Sequence, residues 1–164
     1  MKTCFTLGVL WLILIKVNAQ SLQITGLVKT SQTFTVSDIL KMGTLQTLPD
    51  FQVVTMSGEV RHTLVKPRGV LLRTLLDQAE VPFASPKERG KLYVAAKATD
   101  DYTALFSYLD LYNNPTGDHV WVVVEENGKP LAGTGPFLLL VANDKVSGAR
   151  HVKWLASVVV GKVE

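Results

Sequence analysis

The stretch Gly148-Ala149-Arg150-His151-Val152-Lys153-Trp154-Leu155 (GARHVKWL), running into the apolar Val158-Val159-Val160, decides how this chain is read. Its end has the β-branched content of a strand, yet Arg150, His151 and Lys153 place three basic side chains in four positions. With the two-residue period of a strand, Arg150, Val152 and Trp154 fall on one face. Ala149, His151, Lys153 and Leu155 fall on the other, so His151 and Lys153 project together. Two roles suit that pattern: a wall that binds an anionic or polar ligand, or an edge strand blunted by charge against aggregation. Composition does not separate them.

Upstream, the pattern is mostly of strands. Leu22, Ile24 and Leu27 and then Thr33 to Val36 read as short strands, after which Ser37-Asp38 offers an N-cap to a brief helix through Ile39, Leu40 and Met42. Phe51 to Thr55 and Val60 to Val65 form two strands joined across Ser57-Gly58, with Pro67 and Gly69 closing the segment. Leu71, Leu72, Leu75, Leu76 and Ala79 make the apolar stripe of an amphipathic helix. Leu92, Val94 and Ala96 alternate, Tyr102 to Leu111 continues in a mixed register, and Val120 to Val124 is the strongest strand by β-branched content. Asn127-Gly128 is a hairpin signal, because both central residues of such a turn need positive φ. Phe137 to Val141 and Val152 to Val160 complete the strands. These elements predict one α+β domain, mostly β with two short helices.

The first nineteen residues are expected to be an export signal. Lys2 supplies the positive start, Phe5 to Ile15 the apolar run, and Val17-Asn18-Ala19 a small-residue cleavage site. Cleavage after Ala19 leaves a single domain over residues 20–164, large enough to bury its own core. It also removes Lys2 and Lys16 but no acid, lowering the formal net charge from +3 to +1, which does not support a nucleic-acid footprint. The only cysteine, Cys4, lies within the expected signal. The remainder has no disulfide, no thiolate metal ligand and no cysteine nucleophile.

Nor do the residues spell out a catalytic motif. His62, His119 and His151 have no partner at metal-ligand spacing, and Ser57-Gly58 lacks the first glycine of a nucleophile elbow. Gly133-Thr134-Gly135-Pro136 lacks the following Lys-Ser/Thr of a phosphate loop and reads as a tight turn. Asp100-Asp101-Tyr102 sets two acids beside an aromatic ring, a combination that can accept hydrogen bonds from an amidine-like edge while stacking on its face. Spacing alone favours a solvated turn there.

Four segments, taken in order, resemble the molybdopterin-binding domain of the sulfite oxidase family. GARHVKWL is similar to that family's C-terminal cofactor-binding strand, and Gly69 to Leu76 (GVLLRTLL) to its G-V-x-L-x-x-L-L helix. Asp100-Asp101-Tyr102 resembles its acidic ligand loop. Asn127-Gly128-Lys129-Pro130-Leu131, with Gly135-Pro136 and the strand from Phe137 to Val141, is similar to its N-G-x-P-L hairpin and G-P-x-x-L-V strand. The matches run from about Val53 to Val160. The resemblance implies a mostly β sulfite oxidase-like fold with a few short helices. It also implies a cofactor site at Asp100, Asp101, Tyr102, Thr134, His151, Val152, Lys153 and Trp154, with Lys153 as anchor and Tyr102, Trp154 or Trp121 as stacking faces.

The departures from the family pattern carry as much weight. Redox members hold molybdenum through a cysteine thiolate after the strand corresponding to Val53-Val54-Thr55; here that segment is Met56-Ser57-Gly58-Glu59. A thioether or hydroxyl is a poor replacement for an anionic sulfur. Thr134 stands about where the family has a phosphate-side histidine, and Leu138 or Leu139 replaces an arginine able to grip phosphate in bidentate fashion. The pattern implies a free, reduced pterin rather than molybdopterin, and no metal. Short exported proteins of this kind are similar to periplasmic pterin-binding proteins acting with inner-membrane enzymes that control cyclic-di-GMP. The resulting expectation is a non-catalytic, periplasmic pterin sensor with the periplasmic domain of such an enzyme as partner. Two alternatives stand beside it: a molybdopterin-dependent oxidoreductase, and a structural or docking domain whose pocket is occluded by Leu138 and Leu139.

Overall fold

Val120 to Val124 lies at the centre of the molecule, and all five side chains are buried. Val120, Val122 and Val124 face the main core, while Trp121 and Val123 face a second, smaller apolar cluster with Leu64, Leu138 and Leu140. A strand covered on both faces needs no polar alternation, which is why this run is continuously apolar. The computed structural model describes residues 20–164. The expected export signal, with its cleavage point after Ala19, lies outside the described residues.

In chain order the strands and helices are β1 (Leu22–Gly26), β2 (Gln32–Phe34), α1 (Val36–Leu40), β3 (Gln46–Thr47), β4 (Phe51–Val54), β5 (Val60–Leu64), β6 (Pro67–Leu71) and α2 (Leu72–Ala79). There follow β7 (Leu92–Ala98), β8 (Thr103–Ser107), α3 (Tyr108–Tyr112), β9 (Val120–Glu126), β10 (Lys129–Pro130), β11 (Leu138–Val141) and β12 (Leu155–Lys162). One sheet has the order β2-β1-β12-β7-β8, with β1 and β12 parallel and the other neighbours antiparallel. A second runs β10-β9-β6-β3, with β11 also pairing β9, and β4 and β5 form a separate two-stranded hairpin. The main core draws on both larger sheets and on α2, whose Leu72, Leu75, Leu76 and Ala79 are all fully buried. Each such leucine stabilises the fold by roughly 1.5–3 kcal/mol. Leu64 of β5 and Phe51 of β4 pack on the second cluster, so the hairpin covers the outer face of the β9 sheet.

The expected α+β, mostly β architecture is the one observed, and the hairpin signal is correct: Asn127 and Gly128 both have positive φ between β9 and β10. Several details differ. Pro67 and Gly69 do not close a segment; they lie within β6, Pro67 as its first residue, where a missing N–H is tolerated. At Gly69 a bulge brings the backbone so close to β9 that an added Cβ would stand 2.2 Å from the Val122 carbonyl oxygen. Tyr102 to Leu111 is not one strand: Ser107 and Asp110 form a capping box that starts α3. The first helix likewise starts from Thr35, paired with Asp38, rather than from Ser37.

The largest correction concerns GARHVKWL. It is not a continuous strand: Ser147–Arg150 is a 3₁₀ turn, Val152 makes an isolated bridge to Leu139, and Trp154 sits at φ 52°. Regular strand begins only at Leu155. Tertiary contacts impose this path. Val152 exchanges two 2.9 Å hydrogen bonds with Leu139, Trp154 donates its N–H to the Thr134 carbonyl at 2.7 Å, and Leu155 donates to Phe137. The pairing partners are three different points on the 134–139 segment, so the chain turns between them.

Candidate functional site

That irregular segment forms the floor of an open cleft of about 490 Å³, within the roughly 300–1,000 Å³ typical of small-molecule sites. Two walls rise from it, each tied to the floor by one side chain. On one side the Ser147 hydroxyl accepts from Val54 N–H and donates to the Gln52 carbonyl, both at 2.8 Å, and so holds the β4–β5 hairpin. Gly148 permits the close approach, since a Cβ there would lie 2.9 Å from the Val54 carbonyl oxygen. On the other side the Tyr102 hydroxyl donates to the Ala149 carbonyl at 2.6 Å, holding the turn between β7 and β8.

The hairpin wall contributes Val53, Thr55, Met56, Arg61 and His62; the opposite turn contributes Asp100 and Tyr102; the floor contributes His151 and Lys153. Charge is therefore divided across the cleft, with the acid on one wall and cations on the other wall and the floor. Asp100 Oδ1 accepts from Tyr102 N–H at 3.2 Å. Its other carboxylate oxygen has no intramolecular partner among the described residues and remains an acceptor for a ligand. His151 is buried, and its Nε2 has no hydrogen-bond partner among the described residues. Burial above all, with Lys153 and His62 adding to it, pushes its pKa down to about 4. At neutral pH it is an uncharged imidazole, and a buried polar atom left unpaired costs free energy.

Of the residues singled out from sequence, Asp100, Tyr102, His151 and Lys153 come together in this cleft. His151 and Lys153 share the cleft without a regular strand, because Val152 between them is drawn into the core by its bridge to Leu139. The other positions lie elsewhere. Asp101 occupies the left-handed region at φ 67° and is exposed, its carbonyl accepting from the Thr103 hydroxyl. Thr134 is buried, its Oγ1 unpaired among the described residues, and it lies outside the residues that line the cleft. Trp154 lines a separate recess with Gly133, Gly135 and Pro136, and Trp121 is buried in the second cluster. Tyr102 is thus the aromatic available to stack in the cleft. Leu138 and Leu139 lie in the core and occlude nothing. Arg61 and His62 were absent from the sequence-derived set: their separation from His151 in sequence gives no spacing signal, and only the docking of the hairpin on Ser147 unites them.

Comparison with known proteins bears on the family and the fold. The family model for the oxidoreductase molybdopterin binding domain matches residues 10–164. The chain belongs to that family. Among solved structures, this molybdopterin-binding domain is similar to the sulfane dehydrogenase SoxCD from Paracoccus pantotrophus, with a TM-score of 0.60 and 23% sequence identity. The match covers 89% of this chain but only 39% of that one, so the likeness is one of fold. No curated protein matches the chain.

The family's cofactor joins a pterin to a metal, and the residues of this cleft fit the two parts unequally. Stacking ring, carboxylate acceptor, unpaired imidazole and ammonium suit a polar bicyclic heterocycle. The metal end does not fit: the segment Met56-Ser57-Gly58-Glu59, where the family resemblance places a thiolate, offers only a thioether, a hydroxyl and a carboxylate, and of these residues Met56 lines the cleft.

Proposed function

We propose that this chain is a non-catalytic periplasmic pterin-binding protein, and that its occupancy is read by the periplasmic part of an inner-membrane enzyme controlling cyclic-di-GMP. One observation carries the reading: the cleft retains Asp100, Tyr102, His151 and Lys153, while Met56 occupies the segment in which the family's redox members place their thiolate. Tyr102 stacks the bicycle, Asp100 accepts from its amino-pyrimidinone edge, and the uncharged His151 ring borders it on the floor. Lys153 closes the floor. The expected export signal supports the location, and a partner can respond only if it contacts loaded and empty protein differently.

The test is a fluorescence titration of the full chain with a reduced pterin. Asp100→Asn and Lys153→Ala are each expected to weaken binding roughly tenfold or more, the effect of removing one charge-assisted hydrogen bond. Asp101→Ala, which lies outside the cleft, is expected to leave it unchanged. Equal affinity in all four proteins would refute the site.

A further inference from the structure

Arg61 stands apart from every other arginine in the molecule. Arg68, Arg73 and Arg150 are paired with Glu125, Asp118 and Asp144, and Arg89 lies over the Phe83 ring at 4.0 Å. Arg61 has no carboxylate or aromatic partner among the described residues, and it lines the cleft beside His62. Lys153, on the adjoining floor, is also unpaired among the described residues. Among the described residues Asp100 is the only acid that lines the cleft, and it stands on the opposite wall. An unpaired guanidinium and ammonium facing one cavity form an anion site, and the guanidinium fork matches phosphate or carboxylate in bidentate fashion.

We propose that the ligand of this cleft carries an anionic group, a phosphate or a carboxylate, that is held by Arg61 and Lys153 against the β4–β5 hairpin while the heterocycle lies toward Asp100 and Tyr102. The inference rests on the pterin reading and adds the ligand's charge and orientation. It places the anion where redox relatives carry their metal ligand, and not at the family's phosphate-side position, which Leu138 and Leu139 fill with buried apolar side chains. His62 borders the same wall and contributes a further ring nitrogen.

The test compares three ligands on the full chain by calorimetry at low and high salt: a neutral hydroxyalkyl pterin, its phosphate monoester, and a pterin carboxylate. At least one anionic form is expected to bind about tenfold or more tightly than the neutral one, with an advantage that shrinks in salt. Which of the two gains more identifies the anion. Arg61→Gln is expected to abolish most of the anionic ligand's advantage over the neutral one, and an undiminished advantage in Arg61→Gln would overturn the anion site. Equal affinity for all three would overturn the anion site and leave the pterin reading standing. If none of the three binds, titration with inorganic phosphate, followed by amide chemical shifts, decides separately: shifts at Arg61 and Lys153 that vanish in Arg61→Gln support the anion site, and their absence overturns it.

Discussion

The two walls of the cleft are built on different foundations. The turn bearing Asp100 and Tyr102 joins β7 and β8, which lie in a five-stranded sheet, and its hydrogen bond to the floor is an addition to that support. The wall bearing Arg61 and His62 is a two-stranded hairpin, a structure marginal by itself, and it relies on Leu64 and Phe51 packing beneath it and on Ser147 beside it. The acid wall is therefore rigid by inheritance and the basic wall by attachment. A ligand spanning them links a fixed element to a dependent one, and the hairpin is the part whose position loading can change.

The largest expected effect concerns the floor between the walls. His151 ionises in the unfolded chain near pH 6.5 and in the folded one near 4. As pH falls the unfolded state takes up the proton first. Stability is therefore unaffected above about pH 6.5, declines between about 6.5 and 4, and levels off below, for a total of about 3 kcal/mol. Urea denaturation across that range measures it, and His151→Gln is expected to remove this component of the slope. Replacement of Lys153 or His62 by alanine should reduce it, because each contributes to the depression.

Ser147→Ala comes next. It strips the hairpin of its attachment and leaves Val54 N–H without its partner, at a cost of about 1–3 kcal/mol. Amide exchange should accelerate in β4 and β5 and remain unchanged in β7 and β8; uniform acceleration would contradict the asymmetry. Tyr102→Phe removes one hydrogen bond from an exposed hydroxyl, worth about 0.5–1.5 kcal/mol, and with β7 and β8 still paired it should leave the exchange of both walls nearly unaltered. A larger loss than for Ser147→Ala would reverse the ranking of the walls.

The same contrast explains what the sequence reveals and what it conceals. The alternating or continuously apolar runs of β7, β9 and β11 and the stripe of α2 report burial directly, so composition and period locate them. Met56, Arg61 and His62 belong to a hairpin whose packing depends on Ser147, a residue without any distinguishing local pattern. GARHVKWL is intermediate. Its resemblance to a cofactor-binding segment names His151 and Lys153, which the fold brings to the cleft, and also Val152 and Trp154, which it places elsewhere; a continuous strand does not form because Leu139, Thr134 and Phe137 hold the segment at three separate points. The capping boxes at Thr35 and Ser107 were legible in principle, each as a hydroxyl followed three residues later by an aspartate. At Thr35 the neighbouring Ser37-Asp38 pair competed for the cap, and at Ser107 the apolar register of β8 disguised the helix start.

The central claim is that the cleft takes a pterin without a metal. It is tested most directly by purifying the full-length chain from cells that export it, then measuring pterin fluorescence and molybdenum content on the same sample. The account predicts a pterin released on denaturation and molybdenum far below stoichiometric. Roughly one molybdenum per chain, retained through purification, would contradict it.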